Sequence, residues 1–425
     1  MQVVQKELLP GVMLTALQTD KFKSSCLSLT LFAPMDRATV TANALLPSVL
    51  RRGTQEHPDT QSFSAALDEL CGGTLEVRVR QQGELQCIGF IGSFLDDAFS
   101  PDGTPILEPA AALLGELLLC PATENGLFRA DYVAGEGKNL ADRIRAQINE
   151  KRQYSIKRLT ELMCDDEPYG LDKLGFADEA ATVTPDRLWQ RYQQLLHSAP
   201  IHLYYCGSAS AERVEAALKN ALAALPGRAV EKLPVCSVNK AVAQVRTFDE
   251  AMDVTQGKLV LGWRTGGVTV RSPEYPALLV LNGIYGGTTI SKLFMNVREK
   301  LSLCYFAGSM LDKHKGLMLV SSGIEFEKYD QAKDEILAQF DACRSGNFTE
   351  QELEAARRAV VSSLTSCMDS QGRLEDYWLG QSAAGLVQRP EELARAVEQV
   401  TARQVAETAG KMALDAVYFL KGKEG

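Results

Sequence analysis

The sequence predicts an α+β protein made of two tandem homologous domains. Three observations point there. Strands come in runs grouped with long amphipathic helices, the pattern of an α+β layer. The order of those elements recurs at a spacing of about 215 residues, far longer than a solenoid repeat. And 425 residues exceed one ordinary domain.

Residues 1–33 read as extended. Gly11-Val-Met-Leu-Thr begins a strand, and Cys26-Leu-Ser-Leu-Thr-Leu-Phe alternates at period two. Thr39–Arg52 has helical spacing through Ala42, Leu45, Leu46, Val49 and Leu50, with Pro47 inside it. Gly53–Pro58 is a loop. Thr60–Leu70 is an amphipathic helix, and Gly72-Gly73 turns into two strands, Thr74–Gln81 and Glu84–Gly92. A polar loop at Asp96–Asp102 precedes two helices, Pro109–Leu119 and a long one at Arg129–Asp165. Thr184-Pro-Asp opens a helix to His197, because a threonine N-cap followed by proline is a start signal. Strand Ile201–Gly207 and helix Ala209–Leu225 close the half.

Residues 228–245 lack periodicity and read as a linker between domains 1–227 and 246–425. Then the order returns. Lys258–Trp263 is a strand. Ser272–Tyr285 and Thr288–Lys300 are helices in the places of Thr39–Arg52 and Thr60–Leu70. Leu303–Met310 and Gly316–Ile324 repeat the strand pair. Helices Lys328–Arg344, Thr349–Thr365 and Thr401–Leu414, then strand Val417–Gly422, complete the series.

The net charge of −9 and a pI near 5.2 argue against a nucleic-acid partner held by phosphate contacts. No basic segment leads into an apolar core at Met1–Pro10, and no apolar run reaches bilayer length, so neither a signal peptide nor a membrane span is expected. The ten cysteines are scattered, with no C-x-x-C pair, and read as buried thiols of a reducing, cytoplasmic compartment. His197 and His202 lack further ligands nearby for a metal.

The stretch Tyr285-Gly286-Gly287 through Tyr305 is the candidate for chemistry. Gly286 and Gly287 would leave backbone N–H groups open ahead of a helix. Arg298 and Tyr305 are donors that can hold a peptide carbonyl or carboxylate.

Two segments carry a resemblance. Asn43-Ala44-Leu45-Leu46-Pro47-Ser48-Val49-Leu50-Arg51-Arg52-Gly53-Thr54 is similar to the A-H-F-L-E-H-M-L-F-K-G-T setting of the H-x-x-E-H motif in pitrilysin-like metallopeptidases, which include the mitochondrial processing peptidase. Ser291-Lys-Leu-Phe-Met-Asn-Val-Arg298-Glu-Lys-Leu-Ser-Leu-Cys-Tyr305 resembles the family's S-R-L-F-x-x-L-R-E-K-x-x-L-A-Y. The resemblance covers nearly the whole chain. It implies two repeats, each a mostly antiparallel sheet packed against helices on one face, together forming one half of a clam shell.

In that alignment the two zinc-binding histidines read Ala44 and Ser48, and the glutamate base reads Pro47. A later E-x6-E pair supplies the family's third ligand; Glu136 fits its first member, and the ligand position reads Arg143. The resemblance therefore implies no zinc in this chain. Ser48 has no histidine beside it in sequence to make it a nucleophile. The glycine pair would be a short form of the family's glycine-rich loop. Arg298, Tyr305, Gly286 and Gly287 would contact substrate in trans, beside a catalytic sister subunit with an intact H-x-x-E-H motif that carries zinc and hydrolyses peptides. The alternatives are a structural scaffold, or a homodimer that binds peptides without cleaving them.

Overall fold

A computed structural model describes residues 1–101 and 103–423. The chain forms two compact units, neither of them continuous. The first comprises Met1–Arg145, Leu171–Pro234 and Gln371–Ala383; the second comprises Ala146–Gly170, Val235–Ser370 and the chain from Ala384 onward.

The first unit holds strands β1 (Gln2–Leu9), β2 (Val12–Gln18), β3 (Ser24–Pro34), β4 (Thr74–Gln82) and β5 (Leu85–Leu95). A two-residue hairpin, β6 (Thr123–Glu124) with β7 (Leu127–Phe128), and then β8 (Ile201–Gly207) follow. The main sheet runs β1-β2-β8-β3-β5-β4. The second unit holds β9 (Arg246–Met252), β10 (Gly257–Arg264), β11 (Cys304–Asp312), β12 (Leu317–Ile324) and β13 (Ala413–Gly422), ordered β11-β12-β10-β13-β9. Counted from edge strands β4 and β11, the two sheets have one topology. Each is antiparallel except for a single parallel pair, β2 with β8 and β9 with β13. The duplication inferred from element order is thus a duplication of strand order, with β1 added to the first copy.

Strand alternation sends successive side chains to opposite faces. In β3, Leu27, Leu29 and Leu31 join the first unit's main core, which includes helix Val40–Leu50. Ser28 and Phe32 point the other way. Ser28 donates to Glu375, and Phe32 and Cys87 pack with Leu379. Both partners lie on helix Gln371–Ala384, which the sequence reading did not identify. The second unit repeats this arrangement. Helix Lys151–Met163 covers one sheet face, Ile156, Leu159 and Met163 meeting Val260, Leu317 and Leu319. On the opposite face, Trp263 packs against Tyr285 and Phe340. Helices expected on one face of each sheet are there, and the second face carries one more, drawn from the other half of the sequence.

Several expected helices differ in detail. The long helix 129–165 is two, Ala130–Ala146 and Lys151–Met163, separated by the turn Gln147–Asn149. The break falls where the chain passes from one unit to the other. The helix expected from 272 starts at Tyr275 and ends at Asn282, and Gly283–Gly287 widens into a π turn. The next starts at Leu293 rather than Thr288, and its span to Lys300 is π-helical too. Strand β9 and helix Pro390–Glu398 went unanticipated. The 96–102 loop contains a 3-10 turn, Asp97–Phe99; Asp102 lies outside the described residues.

Among the described residues, no helix is long and apolar enough to cross a membrane, and no disulfide forms. Burial pushes the thiols of Cys87 and Cys343 up to about 12.

Candidate functional site

Helix Val40–Leu50 is buried along nearly its whole length. Leu45, Leu46, Val49 and Leu50 are core residues, and Ala44 is packed among them. Asn43 is fixed from both ends, donating to Gln86 at 2.8 Å and accepting from Arg191 at 2.7 Å. Pro47 is buried inside the helix, and Ser48 is half-buried. On Ala130–Ala146, Glu136 is ion-paired to Arg52 at 3.2 Å, and Arg52 also lies over the Tyr132 ring. Arg143, on the same helix, is exposed.

Zinc takes imidazole nitrogen, thiolate or carboxylate. Positions 44, 47, 48 and 143 offer a methyl group, a pyrrolidine ring, a hydroxyl and a guanidinium, so this donor set does not fit the metal. Glu56, His57 and Glu116 do bring three ligand atoms within 4.8 Å of one another. None of these is a motif position, and Glu116 already accepts from Thr54. His197 and His202 are separately committed. His202 is fully buried, held down to about 3 by desolvation and by Arg80, with Nε2 3.0 Å from the Thr15 hydroxyl; His197 Nδ1 lies against Gln193 O at 2.8 Å.

In the second unit, the two π-helical stretches pack on β11, one of the sheet's two edge strands. Gly286 is buried. A Cβ there would lie 2.7 Å from the backbone nitrogen of Ser309 on β11, so the turn approaches the strand only because no side chain intervenes. Ser309 in turn donates to Asn282 at 2.7 Å. Of the two glycines expected to open backbone N–H groups, Gly286 is closed against β11 and Gly287 is exposed. Tyr285, at the head of the stretch, is a core residue donating to Ile336 O.

Tyr305 occupies a β-bulge. Cys304 pairs with Ile324 and Phe306 with Gly323, so Tyr305 has no partner in the ladder. A bulge re-aims the side chain it carries, and Tyr305 is 65 % exposed. Ser302, just before the strand, has φ +48°, a strained value for a residue with a side chain. Arg298 is 41 % exposed, lies over its own Phe294 ring at 4.6 Å, and pairs only loosely with Glu299 at 3.6 Å. Burial raises the Cys304 thiol, while a hydrogen bond with Ser322 and the charge of Arg298 oppose that rise. Ile290, Met295, Leu301 and Met310 are exposed along the same stretch. A donor pair beside exposed apolar side chains and an unpaired strand edge is equipped to hold an extended peptide.

The sequence reading missed a second cluster. Arg78, Arg80 and Lys173 line, with Arg143, a cleft of about 520 Å³ in the first unit. The period-two spacing of Arg78 and Arg80 on a strand was the one available signal.

Comparison with known proteins gives the family and the fold. A family profile described as "Peptidase M16 inactive domain" matches residues 182–360. A Bacillus subtilis (strain 168) protein named "Probable inactive metalloprotease YmfF" is 36% identical over 98% of this chain and 97% of its own length. A conserved Enterococcus faecalis V583 protein superposes with a TM-score of 0.90 at 25% identity, covering 100% of this chain and 99% of that one. A Pseudomonas fluorescens structure described as a peptidase M16 inactive domain shares the fold, with a TM-score of 0.80 at 17% identity over 100% of this chain and 99% of its own.

Proposed function

We propose, from the premise that this chain belongs to the M16 peptidase family as an inactive member, that it is the non-catalytic subunit of a two-chain peptidase. One observation carries the reading. The four positions that would bind and use the metal hold Ala44, Pro47, Ser48 and Arg143, while Arg298 and bulged Tyr305 remain exposed at a free sheet edge.

The partner is a sister chain with an intact H-x-x-E-H motif, which brings the zinc and the activated water. This chain binds no metal of its own for the reaction. Its peptide substrate lies extended along β11, adding a strand to the sheet. Arg298 and the Tyr305 hydroxyl donate to the carbonyl oxygen of the scissile bond, where negative charge grows as the tetrahedral intermediate forms. Gly287 keeps the backbone low where the peptide passes, and Gly286 sets the turn against β11. Ten thiols with no disulfide suit a cytoplasmic location.

The test is reconstitution. The purified chain should hold no stoichiometric zinc and cleave nothing, and should restore peptidase activity when mixed with the sister chain. Arg298→Ala and Tyr305→Phe should each lower kcat/KM of the mixture by roughly 100- to 1,000-fold, the scale of one lost transition-state donor, with no change in association. Full activity in both variants would remove the pair from the mechanism. Zinc-dependent cleavage by the chain alone would overturn the whole reading.

A further inference from the structure

Away from the degenerate motif positions, the first unit brings together Glu56, His57 and Glu116. Glu56 and His57 stand in the loop 53–58, and Glu116 lies near the end of helix Leu107–Leu119. The loop is tied down by its backbone. Thr54 N–H donates to His57 O at 2.7 Å, Gln55 N–H to Cys120 O at 2.9 Å, and Ala122 N–H to Gly53 O at 3.1 Å. Pro58 O accepts from the Tyr132 hydroxyl at 2.8 Å, and the His57 ring meets Phe63 edge-on. These ties fix the stretch carrying two of the three side chains against the helix carrying the third.

The side chains themselves are left with unused bonding capacity. His57 Nε2 stands 4.0 Å from a Glu116 oxygen, too far for a hydrogen bond. The Glu116 side chain is only 15% exposed, yet its partners among the described residues are the Thr54 hydroxyl and that distant imidazole, with no lysine or arginine. The Glu56 carboxylate has neither hydrogen bond nor ion pair among the described residues. Two carboxylates therefore converge without a basic side chain to offset them, an arrangement that favours a bound cation. Cys120 feels the same field: burial raises its thiol, and Glu116 and Glu56 raise it further.

We infer that Glu56, His57 and Glu116 form an exchangeable site for a zinc-class divalent ion, which clips the loop 53–58 to the end of helix Leu107–Leu119. One imidazole nitrogen and two carboxylate oxygens suit zinc, whereas magnesium and calcium favour all-oxygen shells. Two ligands on one zinc stand at most about 4 Å apart, twice a bond of about 2 Å. The three ligand atoms lie within 4.8 Å of one another, so rotation of the exposed Glu56 side chain closes the set. Thr54 donates to one Glu116 oxygen and so aims the other, the part an outer-shell residue plays at a metal centre. With three protein ligands, water completes the coordination. The site uses none of positions 44, 47, 48 and 143, and it does not rest on the two-chain reading.

The test is a zinc titration of the full chain, first stripped with a chelator, in competition with a chromophoric zinc indicator. One zinc per chain should bind, excess magnesium should not displace it, and saturation should raise the melting temperature. Glu56→Gln, His57→Gln and Glu116→Gln should each weaken binding roughly tenfold or more, and Thr54→Val by about 10- to 100-fold, the scale of a lost outer-shell partner. Thr54→Ser should keep the affinity. Glu56 is exposed, so its variant keeps the test decisive should a change at His57 or Glu116 disturb the fold. Unaltered binding in both Glu56→Gln and a folded His57→Gln would overturn the inference. So would equal affinity for magnesium, the mark of a plain acidic patch, or no saturable zinc uptake at all. The zinc-filled chain should still cleave nothing alone, and His57→Gln should leave reconstituted peptidase activity intact, so this site and the two-chain reading stand or fall separately.

Discussion

Thr54 has no exposed surface, and its hydroxyl donates to Glu116 while accepting from the His57 backbone N–H at 2.9 Å. Beside it, a Cβ on Gly53 would lie 2.5 Å from Pro58 O. These two residues are the flank of the degenerate motif, and both have work in the fold itself. Ala44, Pro47 and Ser48 meet no comparable demand for a ligand side chain. The pattern read in sequence, flank present and ligands absent, therefore has a mechanical cause. Thr54→Val should cost about 1–3 kcal/mol, because two buried polar groups lose their partner, and Thr54→Ser should recover most of that; urea denaturation of the two variants checks it. Legibility at this scale followed sequence distance. Ala44, Pro47 and Ser48 stand within one turn or so of each other and were readable at once. The pairing of Arg80 with Glu375 joins residues far apart in the chain and leaves no local trace, so the charged cleft was not foreseen. Neither was the bulge at Tyr305, since alternation in Cys304–Asp312 carries no mark of an extra residue.

The helix Lys151–Met163 and the turn after it are held to the second sheet by a charged clasp. Glu167 contacts Arg264 at 2.5 Å and Lys315 at 2.5 Å, and Arg264 also binds Asp415 at 2.7 Å. Lys315 is fully buried and reaches Ser237 O at 2.6 Å. Burial alone would raise the Glu167 carboxyl, but hydrogen bonds from Arg264 and Lys315 outweigh it and bring the group down to about 2. A lowered carboxyl stabilises the fold above its unfolded value, 4.5, and loses that contribution as pH falls toward 2. Stability should therefore drop between pH 4.5 and 2, and Glu167→Gln should flatten that part of the profile. At neutral pH the substitution should cost about 3 kcal/mol or more, since it strands buried cations. Urea midpoints measured down the pH series for both proteins decide the matter. The helical run 129–165 was legible from its spacing, but its interruption after Ala146 was not. Charge alternates across 129–165 without interruption, and only the change of packing partner breaks it.

Across the whole molecule, the recurrence of element order was the most legible feature, because a repeat is written twice. The two sheets repeat one strand order, with β1 added to the first. What could not be read is which unit each helix serves. Helix Gln371–Ala384 belongs to the first unit, where Glu375 and Leu379 close the face carrying Ser28 and Phe32. A chain cut after residue 234 should then expose that face and leave Arg80 without its buried carboxylate. We expect residues 1–234 to aggregate, or to melt well below the intact protein, and adding a synthetic 371–384 peptide to raise the melting temperature. Differential scanning fluorimetry with and without the peptide makes the comparison, and a fragment as stable as the full chain would refute the assignment.

The two borrowed helices stand at the same place in each copy, about 220 residues apart. A single ancestral copy with this layout would have had a bare sheet face and a helix with nothing of its own to cover. Two identical molecules trading that helix would have satisfied each other. In the present chain the exchange is internal, and each half of the sequence supplies the helix that closes the other's sheet.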